Sequence, residues 1–246
     1  QLVYDELGLR TDNGLSTFQI QPRVQITWDF NDKHTDILRI GGGIFASDIN
    51  NYAMINNMVF DGTKVMSVDI KNTEEEPDIV PTPDFIGYRK DPSTAPGIDL
   101  LNNPNYADKA VPTINMNSKD AKVPVVYKAN ISYTHFFSDR LKMSVSGYMT
   151  LGRNNYMYID RNMVDDPYFR LSAEGNRGIY VPASTIGKDG TLDWMEGRKS
   201  TKVGRVLELV SEGKVNQFAF TVDGTWRYYK DGELSFSYTW NDTKDN

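Results

Sequence analysis

Apolar and polar residues alternate with a period of two along several long segments of the chain. In the clearest segment, Phe18–Phe30, every second residue is apolar: Phe18, Ile20, Pro22, Val24, Ile26, Trp28 and Phe30. This period is typical of a β-strand with one face in an apolar medium and the other in water. The alternation resumes after the polar turn Asn31–His34, so residues 17–47 are predicted to form a hairpin.

The same pattern occurs twice more, in residues 122–151 and 215–241. The second hairpin turns at Ser138–Arg140 and the third at Lys230–Gly232, which contains the Asp-Gly pair favoured in hairpins. Residues 48–121 and 152–214 lack sustained alternation, although Ala53–Phe60 and Val65–Ile70 are predicted to be short extended pieces. Connections of this length are functional or disordered. The sequence therefore predicts an all-β chain with about six long strands in three hairpins, joined by alternating short and long loops.

Two architectures fit this arrangement, a soluble β-sandwich and an antiparallel transmembrane β-barrel. Strands in a sandwich are usually only about five or six residues long. A membrane barrel requires about 9–11 residues per strand, short periplasmic turns, long extracellular loops and rows of aromatic residues. Trp28, Phe30, Phe137, Tyr228 and Tyr229 lie beside the short turns. The pattern favours a membrane barrel, with residues 1–246 as part of one barrel domain, since six strands are too few to close one.

Composition is compatible with this interpretation. The mean hydropathy is -0.52, and no run of about 18 apolar residues predicts a transmembrane helix. There is no cysteine, so disulfides and thiolate chemistry are excluded. Gln1 does not begin a signal peptide, so we expect an internal or processed segment. Between Asp48 and Ala121, 12 acidic residues outnumber 6 basic ones, which disfavours a nucleic-acid partner.

Two stretches resemble barrel strands of TonB-dependent outer-membrane receptors, in particular the Oar-like and SusC-like receptors of Bacteroidetes. One is Ser16–Phe45, with the core Gln-Pro-Arg-Val-x-Ile-x-Trp-Asp followed by Leu-Arg-Ile-Gly-Gly-Gly-Ile-Phe; the other is Lys122–Phe137. The resemblance implies a Gram-negative outer-membrane location and a barrel of about 22 strands around a plug. It also implies import driven by the TonB complex, although neither a plug nor a TonB box is recognisable in this chain.

Few residues suggest chemistry. His34 and His135, the only histidines, lie in a turn and near a strand end, so a shared metal site or catalysis is not expected. Gly41–Gly43 lacks the Lys-Ser/Thr and helix of a P-loop and is interpreted as a strand interior that another backbone approaches closely. We therefore expect no enzyme activity, cofactor or metal. Acidic and aromatic residues of the first long loop are the candidate extracellular ligand-binding residues: Tyr52, Phe60, Glu74, Glu75, Asp78 and Tyr88.

Two functions remain open. The first is a segment of a TonB-dependent receptor that binds its ligand with extracellular loops and imports it through a plugged barrel. The second is a non-transporting barrel that acts as an adhesin or assembly partner for a surface lipoprotein or secreted protein. Outer-membrane lipids are partners in both cases.

Overall fold

The alternating segments form long antiparallel strands in a computed structural model that describes residues 1–15, 17–67, 90–91, 111–230 and 232–246. Ten strands and two α-helices occur in these residues: α1 (Leu2–Leu7), β1 (Arg23–Asp29), β2 (Asp36–Ala46), α2 (Asn51–Val59), β3 (Asp61–Ser67), β4 (Val111–Asn117), β5 (Val125–Ser138), β6 (Leu141–Asp160), β7 (Phe169–Leu171), β8 (Arg177–Ile179), β9 (Val206–Trp226) and β10 (Leu234–Asp245). Three short 3-10 helices cover Ser172–Glu174, Ala183–Thr185 and Trp194–Gly197.

The chain divides into two compact units. The strand unit comprises Gly14–Asn50, Ser118–Met157 and Leu209–Asn246, and the loop unit comprises Gln1–Asn13, Asn51–Asn117 and Tyr158–Glu208. In the strand unit, neighbouring strands pair in the order β1-β2-β5-β6-β9-β10. The predicted all-β class and the three antiparallel hairpins β1–β2, β5–β6 and β9–β10 are confirmed.

Several strands begin or end at positions other than those that the alternating pattern predicts. β1 begins only at Arg23, because Pro22 has no N–H with which to continue the ladder, although its carbonyl still accepts a bond from the Ile44 N–H at 3.0 Å. β6 and β9 instead extend well into the second predicted loop. There Gly213 lets the strands approach closely, since a Cβ on it would lie 2.8 Å from the Asn155 carbonyl oxygen.

Register places apolar residues on one face of the strand unit. Ile26, Ile40, Ile131 and Gly147 lie opposite one another on successive strands, and so do Trp28, Leu38, Tyr133 and Val145. The other face is polar, with Thr27, Arg39, Ser132 and Ser146 in one row. On that face the Ser146 hydroxyl donates to Ser132 at 2.9 Å. The chain thus separates apolar and polar faces as the period-two pattern predicts.

The burial pattern of these strands is opposite to that of a water-soluble sheet. Thr134 and Ser146 are buried, whereas Trp28, Ile131 and Trp240 are 60%, 51% and 53% exposed. A contiguous apolar face of this kind is unfavourable in water. It is the face that a transmembrane strand presents to lipid, so the burial pattern argues against the soluble sandwich.

Aromatic residues cluster beside the short turns of the strand unit. Trp28 and Phe30 stack with ring centroids 5.1 Å apart, and Phe30 meets Tyr133 edge-on at 6.4 Å. Trp226 and Tyr228 lie 5.8 Å apart beside the turn between β9 and β10. Their positions are typical of an aromatic belt at a membrane interface.

The loop unit has an apolar core of its own, built from distant parts of the sequence. Val3 of α1 packs with Ile114, Met116, Val203 and Val206, and Leu7 and Leu9 lie against this cluster. Burial of these side chains offsets the entropy of ordering long connections.

One local prediction is wrong in this unit. Residues 53–60 read as an extended piece, but Asn51–Val59 is the helix α2. Ala53 is buried, and the run contains the helix formers Ala and Met. No helix in the described part of the chain has both the length and the apolar character needed to cross a membrane.

Candidate functional site

Strand β4 of the loop unit has two chemically different faces. Ile114 and Met116 point into the apolar core, whereas Thr113 and Asn115 line a pocket of about 390 Å³. The other lining residues come from three distant segments: Phe60, Trp194, Arg198, Arg205 and Leu207. This volume lies in the range of small-molecule sites, about 300–1,000 Å³.

Backbone bonds to β4 fix two walls of the pocket. The Asn115 N–H donates to the Phe60 carbonyl at 2.8 Å, and the Phe60 N–H donates to Asn56 at the end of α2 at 2.8 Å. On the other side, the Ile114 N–H donates to the Arg205 carbonyl at 2.9 Å. Phe60 and Arg205 therefore occupy opposite sides of β4 with little backbone freedom.

A third wall is formed by the 3-10 helix Trp194–Gly197 and the residue after it. The Asp193 side chain caps this helix by accepting a bond from the Met195 N–H at 2.9 Å. The guanidinium of Arg198 lies 4.9 Å from the centroid of the Trp194 ring, a cation–π geometry. Arg198 also forms an ion pair with Asp160, and its side chain is only 9% exposed.

Asn162 orders the segment that leads to Arg205. This fully buried amide places its Nδ2 2.9 Å from the Ser200 carbonyl, 2.7 Å from that of Val203 and 2.8 Å from that of Gly204. Its Oδ1 accepts a bond from the Ser200 N–H at 2.9 Å. The side chain of Asn162 thus satisfies backbone groups that have no partner in a regular sheet. It holds Gly204, the residue before Arg205, in place.

The charged residues among the described lining of the pocket, Arg198 and Arg205, are both positive. Asp160 neutralises Arg198, but no described residue pairs with the exposed guanidinium of Arg205. No acidic residue is among the described residues that line the pocket. Beneath its surface, Asn115 Oδ1 and Arg198 Nε are buried without a partner in the described structure. Such a surface is suited to bind an anionic group beside a ring.

A second polar cluster in this unit has a structural role. Glu6 of α1 accepts bonds from Lys202 at 2.7 Å and from the Ser200 hydroxyl at 2.8 Å. The Lys202 bond, followed by the Ser200 bond, lowers the pKa of Glu6 from its ordinary value of 4.5. These contacts fasten α1 over the core that contains Val3. No group of three or more His, Cys, Asp or Glu residues suited to a metal ion occurs in the described residues.

Comparison with known proteins finds structural neighbours, two of which are described here, and no sequence match. No protein-family model and no curated protein matches the chain. The outer membrane transporter YddB from Escherichia coli is 9% identical with a TM-score of 0.48, over 93% of this chain and 21% of that one. The siderophore receptor PirA from Pseudomonas aeruginosa is 7% identical with a TM-score of 0.32, over 92% of this chain and 34% of that one. This chain thus spans about a fifth of one neighbour and about a third of the other.

The strand unit shows the fold class of the chain. Long antiparallel strands, short turns with aromatic neighbours, an exposed apolar face and a polar opposite face are the features of outer-membrane barrels. The strand unit has the fold of a segment of an outer-membrane β-barrel. The features named above are all present in the strand unit.

The six predicted ligand-binding residues do not all lie at the pocket. Phe60 lines the pocket, whereas Tyr52 lies on α2, is 71% exposed and does not line it. Glu74, Glu75, Asp78 and Tyr88 lie outside the described residues. A ligand-binding role for these six residues stays a prediction.

Sequence reasoning missed most of the pocket, including Trp194, Arg198 and Arg205. One usable signal was present, since Thr113 and Asn115 alternate with Ile114 and Met116. Trp194, Arg198 and Arg205 carry no comparable pattern, because they follow an irregular segment.

The remaining candidates are structural. His135 Nδ1 lies 2.6 Å from the carboxylate of Asp36, and His34 contacts Asp29. Each histidine therefore has a carboxylate partner near a short turn. Gly42 fits the predicted close approach, because a Cβ on it would lie 3.1 Å from the Lys128 carbonyl oxygen.

Proposed function

We propose that this chain is a segment of a TonB-dependent outer-membrane receptor that binds a ligand on its outer side and imports it through the barrel. The loop unit supplies part of the ligand-binding surface, and the strand unit supplies part of the barrel wall. The function is transport and not catalysis. The proposed partners are outer-membrane lipids and the TonB complex.

The observation that carries this proposal is that one chain contains both the strand unit and the loop unit, which differ in structure. The strand unit exposes an apolar face that needs lipid, while its opposite face carries hydroxyl, amide and charged groups. The two longest connections contribute a folded unit with its own core and a small-molecule pocket. A barrel that only anchors itself has no need of such a pocket. The resemblance of Ser16–Phe45 and Lys122–Phe137 to receptor strands supports the same function.

Fractionation of cells that produce the complete gene product tests the membrane part of the proposal. The protein is expected in the outer membrane after a carbonate wash, with a gel mobility that changes on heating as folded barrels unfold. Release by carbonate would contradict the proposal.

Uptake measurements test the transport part. A ligand that binds the surface is expected to enter the cell only while the proton gradient is intact and TonB is present. Binding without gradient-dependent uptake would instead favour the non-transporting barrel that docks a surface lipoprotein or secreted protein.

A further inference from the structure

The pocket beside β4 combines one unpaired cation with a ring-lined wall. The guanidinium of Arg205 is exposed and has no described partner, while Arg198 is already paired with Asp160 and packed on Trp194. Arg205 is therefore the lining cation that is available to an incoming group.

The neighbours of Arg205 define what else a ligand meets. Thr113 and Asn115 contribute a hydroxyl and an amide, and Phe60 and Leu207 contribute apolar surface. A guanidinium binds a carboxylate with two parallel bonds, whereas the Asn115 amide suits a further polar group. A simple inorganic anion would leave the apolar walls uncovered, so an organic acid with a ring fits better.

The pocket is also preorganised. The Arg205 carbonyl is bonded to the Ile114 N–H, and the Gly204 carbonyl is held by Asn162. A Cβ on Gly204 would lie 3.2 Å from the Pro112 carbonyl oxygen, so the backbone before Arg205 packs closely against β4. A cation on a fixed backbone loses less entropy when it binds a ligand than one on a flexible loop.

We propose that this pocket binds a small organic acid whose carboxylate pairs with Arg205 and whose ring lies against Phe60 and Leu207. This inference builds on the proposed receptor function, because it names the ligand class of the outer side. The ring is either that of a sugar acid or an aromatic one, and the two share the carboxylate.

Matched acids and amides separate charge recognition from ring recognition. We would titrate the full-length protein in detergent with glucuronate and glucuronamide, and with phenylacetate and phenylacetamide, by calorimetry. At least one acid is expected to bind roughly 10- to 100-fold more tightly than its amide, the range of a charge-assisted hydrogen bond. The acid that shows this preference over its amide identifies the ring of the ligand as a sugar ring or an aromatic one.

Variants then assign the preference to Arg205. Arg205→Gln is expected to remove the preference for the acid, and Arg205→Lys to retain part of it, because lysine keeps the charge without the bidentate geometry. Arg170→Gln is the matched control, since Arg170 is an exposed arginine of the loop unit that bonds the Asn176 carbonyl and does not line the pocket. It is expected to bind like the parent protein.

Two results would overturn the inference: equal affinity for both acids and their amides, or an acid preference that survives Arg205→Gln. Neither result touches the receptor proposal, because membrane insertion and gradient-dependent uptake are measured separately. A protein that is released by a carbonate wash would contradict the receptor proposal and leave the carboxylate pocket intact.

Discussion

A lysine on the apolar face of β5 is the sharpest test of where this sheet lies. Ile131 is at the middle of the strand, opposite Ile40 and Gly147, and is 51% exposed. If that exposed half faces lipid, Ile131→Lys at the bilayer midplane destabilises the folded protein by about 2–4 kcal/mol. If it faces water, the same change is a surface substitution worth about 0.5 kcal/mol or less.

Asn130→Lys is the matched control for this prediction. Asn130 is the preceding residue on the same strand, and it pairs with Gly41 and Tyr148 on the polar face. A lysine there can reach water, so we expect a small change in the free energy of unfolding. The two variants carry the same charge at neighbouring positions and differ only in the face that receives it.

The measurement is urea unfolding of the full-length protein in phospholipid vesicles, followed by tryptophan fluorescence. The predicted result is a difference of about 2–4 kcal/mol between the two variants, with Ile131→Lys the less stable. Equal stabilities, or a more stable Ile131→Lys, would refute the assignment of this face to lipid. They would restore the soluble sheet as the better account of the alternation.

Three further predictions concern the loop unit. Asn162→Ala removes the two N–H donors and the acceptor oxygen of a fully buried amide and should lower the free energy of unfolding of the unit by about 2–4 kcal/mol, seen as faster amide exchange around residue 204. Gly197→Ala places a Cβ 2.6 Å from the Tyr180 carbonyl oxygen. This clash should lower the free energy of unfolding by about 1–3 kcal/mol, measured by thermal unfolding. The bond from Lys202 lowers the pKa of Glu6. The ionised Glu6 therefore stabilises the docking of α1 fully at a pH above the ordinary carboxyl pKa, and this stabilisation is lost as the pH falls through the lowered pKa of Glu6. The protection factors of the α1 amides between pH 3 and 7, which correct for the intrinsic pH dependence of exchange, measure this loss.

Each of these three has its own control. Asn162→Asp keeps the acceptor for the Ser200 N–H but loses the donor, so a stable Asn162→Asp protein would argue against the role of Nδ2. Gly14→Ala should be neutral, because a Cβ there meets no atom within 4 Å. Glu6→Gln should make the protection factors of the α1 amides independent of pH. A pH profile of protection unchanged from the parent would show that another group is responsible.

The all-β class and the hairpin pairing of the strands could be predicted from the sequence, because the face on which a side chain lies depends only on its position along its own strand. The side chains of Phe18–Phe30 alternate whatever they later pair with, and a polar turn marks where the chain reverses. The short turns with their aromatic neighbours follow from the same local pattern. Strand ends were less predictable, since β6 and β9 continue past the alternation through backbone pairing that depends on a neighbouring strand.

The loop unit was decided by tertiary structure. Its core joins Val3 to Ile114 and Val203, and its pocket joins Phe60 to Arg205, positions that no local period relates. The helix α2 forms where the sequence read as extended, because propensity over one short run is a weak guide without its packing. Sequence thus determined that alternating strands separate a lipid face from a polar face. Only the fold determined which distant side chains meet, because burial and backbone bonds across the chain, and not any repeat along it, bring Arg205, Asn115 and Phe60 to one pocket.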